Sequence, residues 1–311
     1  MHVAPANVPI NLAFTLLFGL LSGNRCIVRA PTQSFPQLNL FFDALDSVQQ
    51  LERFSEVADR FAIISCEYRD AYWLDALSLA DTRVIWGGDK TVQNIRSVCG
   101  SAKCVEVAFP DRTSLCIFDA SELAKIGQHE LDLLAERFFN DTLLMDQNAC
   151  SSPIEILWLN SEGYDAAISG FWNSVAKAEH RLGPLGVKKY IDKLVAVGRL
   201  VGDKIPLSLD EYGLGVLVDT SESRYDSSGI RLGYFYQRKV EGITQLLTHV
   251  SRRTQTVTYF GVDPNLIVET VMAAGVPGVD RVVPIGDALD LGFVWDGKDI
   301  IKTLSRQISV K

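Results

Sequence analysis

The chain has 311 residues, 47% of them hydrophobic and 22% charged, with a net charge of -8. That length suits two domains of ordinary size, and the composition excludes a disordered chain. The acidic balance, spread without long like-charge runs, disfavours nucleic acid or an acidic membrane as the main partner, because both want a basic face.

In chain order, "HVAP" reads as a strand and "VPINLAFTLLFGLL" as a helix. "RCIVRAP" is a strand, "FPQLNLFFDALDSVQQLERF" a helix, "RFAIISCEY" a strand, "DAYWLDALSLA" a helix, "TRVIWGG" a strand and "DKTVQNIRSVC" a helix. Strand and helix in repetition predict a parallel sheet with helices on its faces, with ligands at the carboxyl ends of the strands. "KCVEVAF" and "SLCIFDA" read as strands, residues 121–146 as helix, "IEILWLN" as a strand and "YDAAISGFWNSVAKAEHRL" as a helix. Residues 203–230 read as a loop-rich region. Beyond them come strands at "RLGYFYQRKV", "TQTVTYFG" and "RVVPIG" and helices at 242–252 and 264–275. No internal repeat or low-complexity linker interrupts the chain.

The apolar run "NLAFTLLFGLLSG" is shorter than the roughly 20 residues a membrane span needs, and no basic segment precedes it. It reads as a buried helix. Six cysteines without a CxxC pair form neither a disulfide framework nor a metal site, so a reducing, cytoplasmic compartment is the default. Five of them fall in predicted strands or helices. Cys150 differs, because it lies in the polar, turn-prone stretch "DQNACSSP".

The turn "APANVP" lacks the GxGxxG spacing of the common dinucleotide loop. In "WGGDKT", Gly87 and Gly88 would let the backbone approach a pyrophosphate at the start of the next helix; the plainer reading is an ordinary tight turn.

"HVAPANVP", "GNRCIVRAP", "WGGDKT", "FPDRTSL", "DQNACSSP" and "GVDRVVPIGDALDLGFVWDGKDII" follow one another along essentially the whole chain. That series resembles the acyl-CoA reductases of the LuxC type, a branch of the aldehyde dehydrogenase superfamily. The resemblance implies an α/β fold of two parallel-sheet domains with the active site in the cleft between them. The boundaries it suggests are 1–110 for an NAD(P)-binding domain, 111–285 for a catalytic domain, and 286–311 for a segment returning to the first. It further implies NADPH-dependent reduction of an acyl-CoA or acyl-carrier thioester to the aldehyde, through an acyl group on Cys150.

On the same resemblance, Asn7 and the Cys150 amide hold the oxyanion, while Arg29, Pro5, Gly87 and Gly88 meet the cofactor. An arginine at the ribose favours NADPH over NADH, because it can hold a 2′-phosphate bidentately. The deacylating glutamate of the aldehyde oxidisers has no assured counterpart. One register puts Ala108 opposite it, and a two-residue shift puts Glu106 there. Glu241 is an equally weak match for the ribose-binding glutamate.

Family members carry a segment before "HVAPANVP", whereas Met1 stands one residue ahead of it here, so the chain reads as N-terminally short. Alternatives are an aldehyde dehydrogenase running in the oxidising direction, or a silent subunit docking an acyl-transferring or acyl-activating protein. A homo-oligomer is also compatible.

Overall fold

The computed structural model describes residues 1–33, 35–179, 187–202, 208–212, 215–219 and 231–310, which fall into two units, Met1–Asp111 with Leu291–Lys311, and Arg112–Asp290. The first is built on β1 (His2–Val3), β2 (Cys26–Arg29), β3 (Phe61–Ile64), β4 (Thr82–Trp86) and β5 (Val105–Phe109). All five run parallel, in the order β3-β2-β1-β4-β5. The intervening helices are α1 (Asn11–Leu21), α2 (Pro36–Gln49), the single turn α3 (Ser55–Ala58), α4 (Ala71–Leu79) and α5 (Asp89–Arg96). Pro36 starts α2 and the Asp70 side chain caps α4 at the Trp73 amide, both ordinary N-terminal signals. The long helix expected over 35–54 breaks after Gln49 into a 3₁₀ turn at Glu52–Phe54 and then α3.

Close packing explains Gly19. A Cβ there would lie 2.4 Å from Cys26 Sγ and 2.8 Å from His2 Nε2, so α1 can sit on the sheet only without one. His2 is buried and bonded to Thr15 Oγ1, and burial pushes its imidazole down to about 3. On β4, Arg83 is buried without an acidic partner among the described residues. Its guanidinium donates to the carbonyls of Leu77, Ile95, Val98 and Cys99, at or just beyond the C-terminal ends of α4 and α5. Those ends carry unpaired carbonyls and the negative pole of the helix, which suit a cation.

The second unit has β6 (Thr113–Asp119), β7 (Pro153–Leu159), β8 (Ser208–Tyr212), β9 (Gly215–Asp219), β10 (Tyr234–Val240), β11 (Thr254–Phe260) and β12 (Arg281–Pro284), in the order β12-β11-β6-β7-β10-β9-β8. Its pairings are parallel except between β8 and β9. The loop-rich reading of 203–230 thus missed a hairpin, and the rest of that stretch lies outside the described residues. Its Gly, Ser and Asp content masked two short strands, β8 at the sheet edge and β9 beside it, as such residues are depleted in strands generally.

Helices α6 (Ala120–Leu123), α7 (Gln128–Asp141), α8 (Asp165–Glu179), α9 (Val187–Gly202) and α10 (Pro264–Ala274) complete the unit. Phe118, Phe138, Trp158, Phe171, Trp172 and Phe235 form an aromatic core between the sheet and α7 and α8. The helix expected over 242–252 is a 3₁₀ stretch, Ile243–Thr248. There Gln245 and His249 take i→i+3 bonds, and the Gln245 side chain is spent on the Glu241 amide.

The chain then returns to the first unit through the hairpin β13 (Val294–Trp295) and β14 (Lys298–Asp299) and the short α11 (Ile300–Thr303). Trp295, Ile300 and Leu304 pack there against Phe18, Val84, Trp86, Val107 and Phe109.

Candidate functional site

In the first unit the strand order reverses across β1, the usual place for a ligand crevice at the carboxyl ends of an open parallel sheet. Pro5 and Asn7 follow the end of β1, Arg29 ends β2, and Gly87 and Gly88 follow β4, so these five residues share one edge of the sheet. Pro5 is buried and Asn7 exposed. Arg29 is only 4% exposed. Its Nε and Nη2 donate to Cys66 O at 3.0 and 2.7 Å, and its guanidinium lies 3.8 Å over the Tyr68 ring, so it is drawn into the protein rather than held out to solvent.

Gly88 is the N-cap of α5, whose first-turn amides form a natural anion seat. A neighbouring carboxylate already leans on it. A Cβ at Gly88 would stand 2.7 Å from Asp111 Oδ2, and the same oxygen accepts from the Asp89 amide at 3.4 Å. The first-turn amides of α5 suit an anion, and a pyrophosphate there requires the exposed Asp111 carboxylate, on a 3.4 Å bond, to move aside. Glu106 is engaged elsewhere, in an ion pair with Arg96.

In the second unit Cys150 is half-buried in the turn between α7 and β7, next to Ser151 and Ser152, each 1% exposed. All six cysteines are thiols. Burial pushes the Cys26 and Cys116 thiols up, which keeps them protonated packing groups.

The turn carrying Cys150 is clamped. Asp146 and Gln147 are left-handed, at φ 53° and 55°, and face Leu232 and Gly233 at φ 69° and 87°. Gln147 is fully buried. Its Nε2 donates to Tyr234 O at 3.0 Å and Pro153 O at 3.3 Å, its Oε1 accepts from the Gly233 amide at 2.7 Å, and its carbonyl accepts from Arg231. Left-handed backbone at non-glycine residues is strained, and here the side-chain network holds it.

Asp141, 1% exposed, ends α7 and accepts from the amides of Gly286 at 2.6 Å and Ala288 at 3.0 Å. Burial, partly opposed by those two bonds, pushes its carboxyl up to about 7. Between pH 7 and 4 the folded chain therefore holds a proton that the unfolded chain has released, so this group adds stability as pH falls. The gap in unfolding free energy between wild type and Asp141→Asn is expected to widen in favour of wild type by about 1.4 kcal/mol per pH unit over that window. Denaturant titrations at pH 8, 6 and 5 check it, and a constant gap would contradict it.

Gln147, Asp141 and Ser114 were not singled out in the sequence. Only Asp141 left a signal there, standing three residues after Phe138 on the apolar face of α7. Among the described residues no group of three His, Cys, Asp or Glu side chains could hold a metal, and no helix is long and apolar enough to cross a membrane.

These features define a chain with the aldehyde dehydrogenase fold. It superposes on aldehyde dehydrogenase 21 of Physcomitrella patens with a TM-score of 0.69, at 14% identity over 97% of this chain and 66% of that one. The indole-3-acetaldehyde dehydrogenase of P. syringae, solved with NAD+ and IAA, gives 0.65 at 11% identity, over 94% and 60%. The model of the acyl-CoA reductase (LuxC) family matches residues 1–180, and the chain belongs to that family. It is 24% identical, over 328 aligned positions, to the long-chain acyl-protein thioester reductase of Photorhabdus luminescens, spanning 99% of this chain and 63% of that relative's length.

Proposed function

We propose that this chain reduces a long-chain acyl thioester, from CoA or a carrier protein, to the aldehyde with NADPH, and that Cys150 carries the acyl group. The observation that supports it best is the clamped, half-buried Cys150 within the stretch matched by the acyl-CoA reductase family. In this reading the Cys150 thiolate attacks the acyl carbonyl, a new C–S bond forms and the carrier thiolate leaves; that C–S bond later breaks as the aldehyde departs, returning the Cys150 thiolate. Asn7 and the Cys150 amide hold the charge on the acyl oxygen, worth about 3 to 4 kcal/mol per donor. NADPH, when bound, supplies the hydride. Pro5, Gly87, Gly88 and the first turn of α5 receive it, and Arg29, drawn onto Cys66 O and the Tyr68 ring, must turn outward to meet a 2′-phosphate.

An acyl-transferring or acyl-activating protein is the partner this chemistry calls for, and the reducing cytoplasm is the compartment that keeps such a thiol active. Because Asp111 occupies the approach to Gly88, a pyrophosphate bound there must displace a negative charge. Asp111→Asn is therefore expected to tighten NADPH binding by about two- to fivefold, on the scale of one exposed helix-terminus charge effect. Titration calorimetry of both proteins with NADPH and NADH checks this, with NADPH the tighter ligand. Absence of binding heat from either nucleotide would sink the cofactor assignment and favour a silent subunit.

A further inference from the structure

We propose that Ser114 is the positioning residue of the acyl-transfer step, its hydroxyl fixing the Cα–Cβ direction of Cys150 and so the base from which the thiol reaches. The proposal rests on reading Cys150 as the nucleophile. Ser114 is 2% exposed near the start of β6. Its Oγ donates to Cys150 O at 2.7 Å and accepts from the Thr256 amide at 3.1 Å, so both hydrogen-bonding roles of the hydroxyl are used.

The strand pairing departs from regularity at this level on both sides. Ser114 opposes Pro153, but Leu115 opposes Glu155, leaving Ile154 as an extra residue on β7. On the other side Thr113 opposes Thr254 and Leu115 opposes Val257, leaving one extra residue on β11. Two bulges flank one serine. Bulges re-aim groups next to functional sites, and here they turn the Thr256 amide onto a side-chain oxygen.

The consequence falls on Cys150 itself. The peptide plane before its Cα is held by the bond from the Ser152 amide to Ala149 O, at 3.1 Å. The plane after it is held by Ser114. With both planes fixed, φ and ψ of Cys150 are fixed, and so is its Cα–Cβ direction. A reacting atom displaced by about 1 Å loses on the order of a hundredfold in rate. Removing the hydroxyl loosens the second plane, and with it the position of the thiol, while deleting no atom of Cys150.

The test follows acyl uptake by rapid quench and intact mass, with saturated acyl-CoAs of graded length, on wild type, Ser114→Ala, Ser114→Thr and Cys150→Ala. Ser114→Ala is expected to slow acylation about 10- to 100-fold at an unchanged apparent Kd for acyl-CoA, while Ser114→Thr, which keeps a hydroxyl, recovers most of the rate. A purely structural role would lower the melting temperature and leave the acylation rate of the folded protein alone. If Ser114→Ala is poorly folded, the comparison of Ser114→Thr with Ser114→Cys, a weak donor, carries the same expectation of a slower rate for the cysteine. Wild-type acylation in Ser114→Ala, with Cys150→Ala inert, overturns the role of Ser114 alone. Undiminished acylation of Cys150→Ala overturns the nucleophile, and Ser114 falls with it.

Discussion

Replacing Gln147 by leucine is expected to destabilise the second unit by about 3 to 5 kcal/mol, because three buried backbone groups lose their partners at once. Leucine fills much of the same volume, so the loss is of hydrogen bonds rather than of packing. The carbonyls of Tyr234 and Pro153 and the amide of Gly233 would be left facing apolar surroundings. The left-handed pair Asp146 and Gln147 would also lose the network that offsets its strain. Amide exchange at the starts of β7 and β10 reads the effect locally. Protection there is expected to drop by two or more orders of magnitude, as about 1.4 kcal/mol corresponds to a factor of ten. An unchanged exchange rate at Gly233 would show that the side chain is not the clamp.

In the first unit the comparable position is Arg83. Arg83→Met preserves the stem and removes every donor, and a loss of about 3 to 5 kcal/mol is expected from the carbonyls of Leu77, Ile95, Val98 and Cys99. Arg83→Lys is expected to recover less than half of it, since an ammonium on a flexible stem cannot serve two helix ends in the fixed fork that the guanidinium provides. Gly100 belongs to the same arrangement, because a Cβ there would stand 2.3 Å from Arg83 Nη2. Urea unfolding of the two variants checks the order, and a methionine variant as stable as wild type would contradict it.

The fold was legible because its carriers are local. Each of the five strands of the first sheet is one short apolar run between helical periods, and the resemblance carried by the ordered motifs is met by the family match. Cys150 stood out for a related reason, a thiol in a polar turn. What holds it could not be read, since its partners come from far along the chain. Ser114 lies 36 residues before Cys150, and Tyr234 lies 87 after Gln147. Nothing in "TSLCIFD" distinguishes Ser114, because its role comes from a register break between strands rather than from its neighbours in sequence. The strands Ser208–Tyr212 and Gly215–Asp219 escaped because the Gly, Ser and Asp of the surrounding stretch hid the short Gly-Val-Leu-Val-Asp run.

The central claim is that Cys150 carries the acyl group, and the most direct measurement is the intact mass of the protein after incubation with acyl-CoAs of graded length. One acyl addition, mapped to the Cys150 peptide, absent from Cys150→Ala and discharged on adding NADPH, is the result predicted. An adduct retained by Cys150→Ala, or none on wild type at any chain length, would contradict the account.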